Sequence, residues 1–350
     1  MEESENMKPS DPASVSAIAI TALMMLKGIG RRGALHTISE RALELDEHDL
    51  KDFIIEHPCK HPISRSELDI AWGKSVERIE RSREAGQCVL SFYDKTYPER
   101  LRDTPDPPAV VFVRGDATAL TSEHTIAVVG TREPTEFGIK AATRSGKEAA
   151  REGFAVVSGL AHGCDTFGHQ GCVDANGVGI AVLAHGLDRV YPAANRFLVD
   201  QLLDHGGCLV SEYAIGSSPT RAAFAERDRI QSGLSDGVLV IETGIKGGTM
   251  HTVNFSRAQH RPLACIAHQG AWLSEEKTKG NQKLIEDGWA LPIADSDALL
   301  RFMRDLKAKK VDRELPAVAT GADLEKPVLK DTAEPEREES DEPKQISMRF

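Results

Sequence analysis

Between residues 125 and 267 the chain alternates short runs rich in Val, Ile and Leu with stretches of helical spacing, and this alternation restricts the fold most. The apolar runs are 126–129, 154–157, 179–183, 208–210, 238–241 and 263–267. Helical spacing covers 137–152, 164–175, 194–205, 221–234 and 249–260. A strand that is apolar throughout, without polar alternation, is covered on both faces. Strands separated by helices can return in parallel and carry those helices as the covering layers. The pattern predicts a doubly wound, mostly parallel α/β sheet.

The flanks read differently. Residues 1–12 are polar and predict a disordered N-terminus. Residues 13–86 carry helical patterning, at 18–26, 35–43, 50–56 and 66–85, which predicts a small helical domain. Strand-like segments at 88–92 and 109–113 then open the α/β domain, taken as 87–310, with the prolines of Tyr97-Pro98 and Asp106-Pro107-Pro108 enforcing extended backbone between them. A last helix is expected over 295–309. Residues 311–350 hold eleven acids, six bases and four prolines, which predicts a disordered acidic tail.

Charge and cysteine content narrow the class. The net charge of −11 is concentrated in the two ends, leaving residues 11–310 near neutrality, so the acidic total leaves room for a local anion site. Six scattered cysteines without a Cys-x-x-Cys pair argue against a zinc module or a disulfide scaffold and point to a reducing cytoplasm. No apolar run approaches eighteen residues, and the acidic start lacks the apolar stretch of a secretory leader, so neither a membrane span nor a leader is expected.

In an open parallel sheet, ligands bind beyond the carboxyl ends of the strands. The loops there are Gly130-Thr131-Arg132, the run from Ser158 through Gly159 and Gly163 to Asp165, His185-Gly186, and the run from Glu242 through Lys246, Gly247 and Gly248 to Thr249. Three are glycine-rich and lead into helices, whose free N–H groups and positive dipole ends suit a phosphate, with Arg132 and Lys246 as counter-charges. Asp165 is expected as a helix N-cap, and Glu242 as a partner of a ribose or a backbone amide. His162, His169, His185 and His251 lie near these loops without metal-ligand spacing. The dinucleotide fingerprint is absent, which argues against NAD, and Gly73-Lys74-Ser75 lacks the upstream glycine of a phosphate loop. Met24-Met25 has core-like spacing. The hairpin Gly28-Ile29-Gly30 is equally a helix-ending turn or a grip on a DNA backbone, with Arg31 and Arg32 favouring the latter. No cofactor and no metal are expected.

Several strings in fixed order resemble the DprA/Smf family of DNA-processing proteins, of the SLOG-type superfamily. They are 126–132 (IAVVGTR), 157–165 (VSGLAHGCD), 180–192 (IAVLAHGLDRVYP), 209–213 (LVSEY), 224–236 (FAERDRIQSGLSD) and 247–252 (GGTMHT), with 97–101 and 105–115 as the lead-in and 26–33 as a helix-hairpin-helix-type segment. The resemblance covers about residues 15–290. It implies an extended Rossmann-like domain, without enzymatic activity, that binds single-stranded DNA, dimerises and helps load a RecA-type recombinase onto incoming strands in natural transformation. By motif, Arg132 is implied to contact phosphate. Gly159, Gly163 and Asp165 are implied to shape the central loop, Arg227 and Arg229 to belong to a Phe-x-x-Arg-Asn-Arg stretch, and Gly248 and Thr249 to a Gly-Ser-rich loop.

Two departures stand out. Glu226 and Asp228 occupy positions where the family commonly has a basic residue and asparagine; they either repel phosphate or hold the neighbouring arginines in salt bridges. The family's frequent C-terminal winged helix is replaced by the acidic tail. Residues 121–270 carry thirteen bases against fifteen acids, so no broad basic stripe is evident. A protein using the same glycine-loop pocket for a small nucleotide is therefore the alternative. The loop of the related "lonely guy" phosphoribohydrolases, however, has a later glycine and a glutamate that residues 247–253 lack.

Overall fold

The computed structural model describes residues 13–38, 45–56 and 62–313. Among them are twelve α-helices and nine strands: α1 (Val15–Met25), α2 (Arg31–Thr37), α3 (Glu47–Glu56), α4 (Arg65–Glu84), β1 (Gln87–Ser91), α5 (Glu99–Arg102), β2 (Val110–Gly115), β3 (Thr125–Val129), α6 (Glu136–Arg151), β4 (Ala155–Ser158), α7 (Cys164–Asp174), β5 (Gly179–Val182), α8 (Arg196–Asp204), β6 (Cys208–Ser211), α9 (Arg221–Gly233), β7 (Gly237–Val240), α10 (Thr249–Ala258), β8 (Leu263–Ile266), α11 (Lys279–Glu286), β9 (Leu291–Ile293) and α12 (Ser296–Arg313). The expected N-terminal disorder and nearly all of the expected acidic tail lie outside the described residues. No described helix is long and apolar enough to cross a membrane.

All strands join one sheet in the order β1-β2-β6-β5-β4-β3-β7-β8-β9. Pairing is parallel from β6 through to β9, while β2 runs antiparallel to both β1 and β6. Because strand side chains alternate, each strand feeds two cores. Ala127, Val129, Val157, Val182 and Val240 pack under Ile230 of α9 and Leu234 just after it, Val253 of α10 and Leu284 of α11. On the other face Ile126, Val128, Val156 and Leu239 meet α6, α7 and α12. The chain leaves β3 for β4 on one side and later inserts β7 on the other. A crevice opens at that reversal, between the loops that follow β3 and β7.

The N-terminal helices continue one of these layers. Ile20 and Leu23 of α1 and Trp72 and Ile79 of α4 share a hydrophobic cluster with Val110 and Phe112 of β2 and Leu209 of β6. Helix α4 starts at a capping box, in which Ser64 Oγ accepts from Glu67 N and the Glu67 carboxylate accepts from Ser64 N at 3.1 Å. Ser75 lies in its middle and donates to the Ile18 carbonyl at 2.8 Å, which makes Gly73-Lys74-Ser75 a packing element. Met24 does not follow its spacing into the core. The buried stripe of α1 runs through Ala17, Ile20 and Leu23, and Met24 falls beside it, 42% exposed.

A second join is ionic. Arg31 Nε donates to Asp106 at 3.0 Å and its Nη2 to the other carboxylate oxygen; Arg32 Nε reaches the same carboxylate at 3.0 Å. Both arginines that follow the Gly28–Gly30 hairpin thus serve the docking of α2 on the β1–β2 connection, while the Arg32 side chain stays largely exposed. Burial works against the Asp106 carboxylate, but the Arg31 hydrogen bond and the charges of Arg31 and Arg229 outweigh it and hold its pKa below the ordinary value. Stability from this group is therefore present above the unfolded-state pKa and is lost as pH falls through the lower folded value. Asp106→Asn should cost about 1–3 kcal/mol at neutral pH, the worth of a charged hydrogen bond, and progressively less below about pH 4. Urea denaturation of both proteins across pH checks this; a pH-independent difference would remove the ion pair from the account.

Candidate functional site

At the crevice, the loop after β3 is set by backbone contacts. Thr131 N donates to the Glu242 carbonyl at 2.8 Å, and Cys164 N donates to the Thr131 carbonyl at 3.1 Å. Gly163, at φ +77°, enters α7 from the left-handed region, and a Cβ there would lie 2.4–2.5 Å from the Thr131 and Arg132 backbone. Glycine is what lets the two loops stack.

Asp165 sits in the first turn of α7, whose N-cap is Gly163. Its carboxylate accepts from Gly159 N at 3.0 Å and Ala161 N at 3.4 Å. It closes the preceding loop rather than capping the helix, which corrects that expectation. Glu242 is the fully buried counterpart after β7. It accepts from Thr135 N at 2.8 Å, Thr135 Oγ1 at 2.5 Å and His268 Nε2 at 3.2 Å, so the anticipated backbone amide is among its partners.

From the other side α9 delivers Arg227, whose side chain is 6% exposed. Its Nη1 stands 3.9 Å from Asp165 and its Nε 3.4 Å from Asp228. The Gln231 amide, with its oxygen toward these donors, accepts from Arg227 Nη1 at 2.6 Å and Gly159 N at 2.7 Å, and donates to Asp228 at 3.0 Å. Burial pushes both carboxyls up, Asp228 to about 6, against the favourable charge of Arg227. A Cβ on Gly159 would lie only 1.3 Å from Arg227 Nη1.

These groups form the floor of a cavity of about 510 Å³. Gly130, Thr131 and Arg132 make one wall; Gly247, Gly248 and Thr249, where α10 begins, make the opposite one. Arg221 and His251 stand exposed on its lining. Arg132 is exposed at the mouth, its guanidinium 5.4 Å from the centroid of the Phe224 ring. Phe224 in turn lies 5.9 Å from the ring of Tyr191, which is 49% exposed.

Of the residues singled out in the sequence, the structure brings Gly130, Thr131, Arg132, Asp165, Arg227, Gly247, Gly248 and Thr249 to the cavity. Ser158, Gly159 and Gly163 stand behind the lining as support, Ser158 Oγ donating to the Val128 carbonyl at 2.7 Å. Lys246 is exposed on the loop but outside the lining. Arg229 is not brought there. Only 2% exposed, it forks onto Glu212 at 3.1 and 2.5 Å and donates to the Asp106 carbonyl at 3.0 Å.

Glu226 and Asp228 also part company, since residues two apart on a helix face opposite ways. Asp228 lines the cavity, whereas Glu226 turns toward Arg31 and Tyr213. Arg221, Phe224 and Gln231 join the lining without having been expected there, although 221, 224, 228 and 231 repeat at helical spacing. Among the described residues no cluster of three or more His, Cys, Asp or Glu side chains is placed to hold a metal.

Fold and site together define a doubly wound α/β protein with a cation-lined cleft at the reversal of strand order. Residues 88–304 match the family model of DNA recombination-mediator protein A, and the chain belongs to that family. It is 34% identical over 224 residues to the DNA processing protein DprA of Bacillus subtilis, covering 64% of this chain and 74% of that one. To the protein Smf of Synechocystis it is 32% identical over 263 residues, 70% of this chain and 65% of the relative. The X-ray structure of DprA from Streptococcus pneumoniae superposes with a TM-score of 0.63 at 25% identity, over 83% of this chain and 93% of that one. DNA processing protein A from Helicobacter pylori, described for its single-stranded DNA binding mode, shares the fold with a TM-score of 0.56 at 24% identity, over 64% and 96%.

The floor generates a prediction. Gly159→Ala should push Arg227 out of its slot and leave Asp165 and Asp228 without their shared cation, costing about 2–4 kcal/mol. Equilibrium unfolding measures it. A neutral substitution would mean that the guanidinium has room elsewhere.

Proposed function

We propose that this chain binds single-stranded DNA as a non-catalytic recombination mediator. Phosphates are held in the cavity, and a base is held against the aromatic pair at its mouth. The observation that carries this reading is the Arg132 guanidinium over Phe224, with half-exposed Tyr191 alongside, directly above a cavity edged by the start of α10. Phosphate donors beside an accessible aromatic face suit a strand whose bases are unpaired. Membership of the recombination-mediator family and the fold shared with the single-strand-binding Helicobacter pylori protein support the same reading. Asp165 Oδ2 accepts two backbone N–H groups and both Glu242 oxygens accept from Thr135, ties within the fold that argue against either as a general acid or base.

The remaining partners follow from the same reading. The mediator hands the strand to a RecA-type recombinase in the cytoplasm during uptake of foreign DNA. It works as a homodimer, for which the sheet-edge strand β9, with Leu291 53% and the adjoining Trp289 42% exposed, offers an apolar edge. A second reading, a single nucleotide in the cavity, is favoured by its volume of about 510 Å³, well within the range of small-molecule sites.

Arg132→Ala should leave the fold intact, because the side chain is exposed, and weaken binding of a single-stranded oligonucleotide by about 1–3 kcal/mol. The slope of affinity against salt should fall by about one phosphate, and Arg132→Lys should recover only part, keeping the charge without the fork. Fluorescence anisotropy across a salt series, run beside a nucleotide thermal-shift panel, separates the two readings. A stable Arg132→Ala protein that binds the oligonucleotide like the parent takes Arg132 out of the site. Nucleotide binding with no oligonucleotide binding would replace the first reading with the second.

A further inference from the structure

We propose that the cavity takes up its anion together with a proton, carried on Asp228, so that phosphate binding tightens on acidification. The inference rests on the reading of the cavity as a phosphate site and adds its regulation. Two carboxylates, Asp165 and Asp228, share the single guanidinium of Arg227 in the floor, and their side chains are 8%, 14% and 6% exposed. With both acids ionised the floor carries one net negative charge, at the deep end of a cavity otherwise edged by Arg132, Arg221 and a helix start. An entering phosphate meets that excess charge at close range in a poorly solvated place.

The two acids are not equivalent. Burial raises the Asp165 carboxyl as well, but it accepts two backbone N–H groups that close its own loop, and each of these bonds favours the ionised form. Asp228 receives an amide N–H from Gln231, a long contact from Arg227 Nε and the Thr252 hydroxyl, none of them backbone. It is the member that can surrender its charge without opening a loop. Protonation removes the repulsion and leaves a neutral carboxyl able to donate to a phosphate oxygen.

The charged and titratable groups lining the cavity with Asp228 are Arg221 and Arg227 on α9, Asp165 on α7, Arg132 on the loop after β3 and His251 at the start of α10. His251 is the one histidine among them, so its substitution is the control. Burial already places the Asp228 carboxyl at about 6, within reach of a modest change of pH.

The test is the affinity of the full chain for a 20-nucleotide oligothymidylate between pH 5 and 8 at constant ionic strength, with calorimetry in two buffers of different ionisation enthalpy to count protons. The dissociation constant should fall by up to tenfold per pH unit on acidification from 8, levelling below about pH 6, with up to one proton taken up at pH 7. Asp228→Asn should bind equally tightly at all these pH values with no proton uptake. His251→Gln should keep the slope. A slope that survives in Asp228→Asn, or vanishes in His251→Gln, overturns the proposal, as does a flat profile for the parent.

A ligand-free readout separates this from the nucleic-acid reading. The folded state holds a proton that the unfolded chain has released, so the parent should lose stability relative to Asp228→Asn as pH rises from about 4 to about 6. Urea midpoints that stay parallel across that window sink the proton assignment. Failure of the oligonucleotide to bind at any pH sinks only the single-strand reading, and inorganic sulfate, which does not titrate here, then replaces it as the probe of the proton count.

Discussion

The buried guanidinium of Arg227, lying against a backbone position that only glycine can occupy, is the interaction on which the crevice depends. It joins the loop after β4 to helix α9, two segments that arrive from different parts of the sheet. Gly159 provides the slot, Asp165 and Asp228 the counter-charge, and Gln231 the hydrogen bonds that orient the group. A charge so far out of water is tolerable only when it is paired on several sides, and the pairing residues come from α7 and α9 together. The floor therefore forms only when the sheet is complete. The glycine loops above it inherit their positions from that floor and from the Glu242 carboxylate, which anchors the start of α6 through Thr135.

Most of the remaining arginines near the fold's seams do structural work. Arg229 is sealed against Glu212, Arg31 and Arg32 hold Asp106, and Arg100 ties the lead-in to Asp236 at 2.7 Å. That leaves a small number of cations facing the cavity, Arg132 and Arg221 on its lining and Arg227 in its floor. A protein of net charge −11 can present such a site because its excess acid lies mainly in the two ends of the sequence, and electrostatic attraction at contact distance is set by near neighbours. The half-buried Phe224 ring and the exposed Tyr191 ring at the mouth add a sequence-tolerant contact that does not depend on charge.

How much of this was legible in the chain follows from the range of each signal. Local apolar periodicity is a short-range property, and it located the strands from β1 to β8 and most of the helices around them within a few residues. Strand β9, three residues containing a proline, helix α5, a single turn, and helix α11, eight residues with Leu284 and Ile285 as their only large apolar side chains, carry too little periodicity to register. The glycine loops were legible because close backbone approach demands one residue type. Phe224 escaped because a half-buried aromatic on a helix looks like core until its neighbours are known.

Sequence by itself determined the fold class, the parallel sheet and the set of loops from which a site had to be drawn, because burial on both faces and strand–helix alternation admit few alternatives. Only the tertiary structure decided which charges within a motif face the ligand. Arg227 and Arg229 stand two positions apart in one run, yet one floors the cavity and the other locks α9 to Glu212; Glu226 and Asp228 divide in the same way. The physical reason is that helical rotation sends such neighbours to opposite faces. What waits on each face is set by segments more than a hundred residues distant, Asp106 and Arg31 in this case, that no local pattern can report.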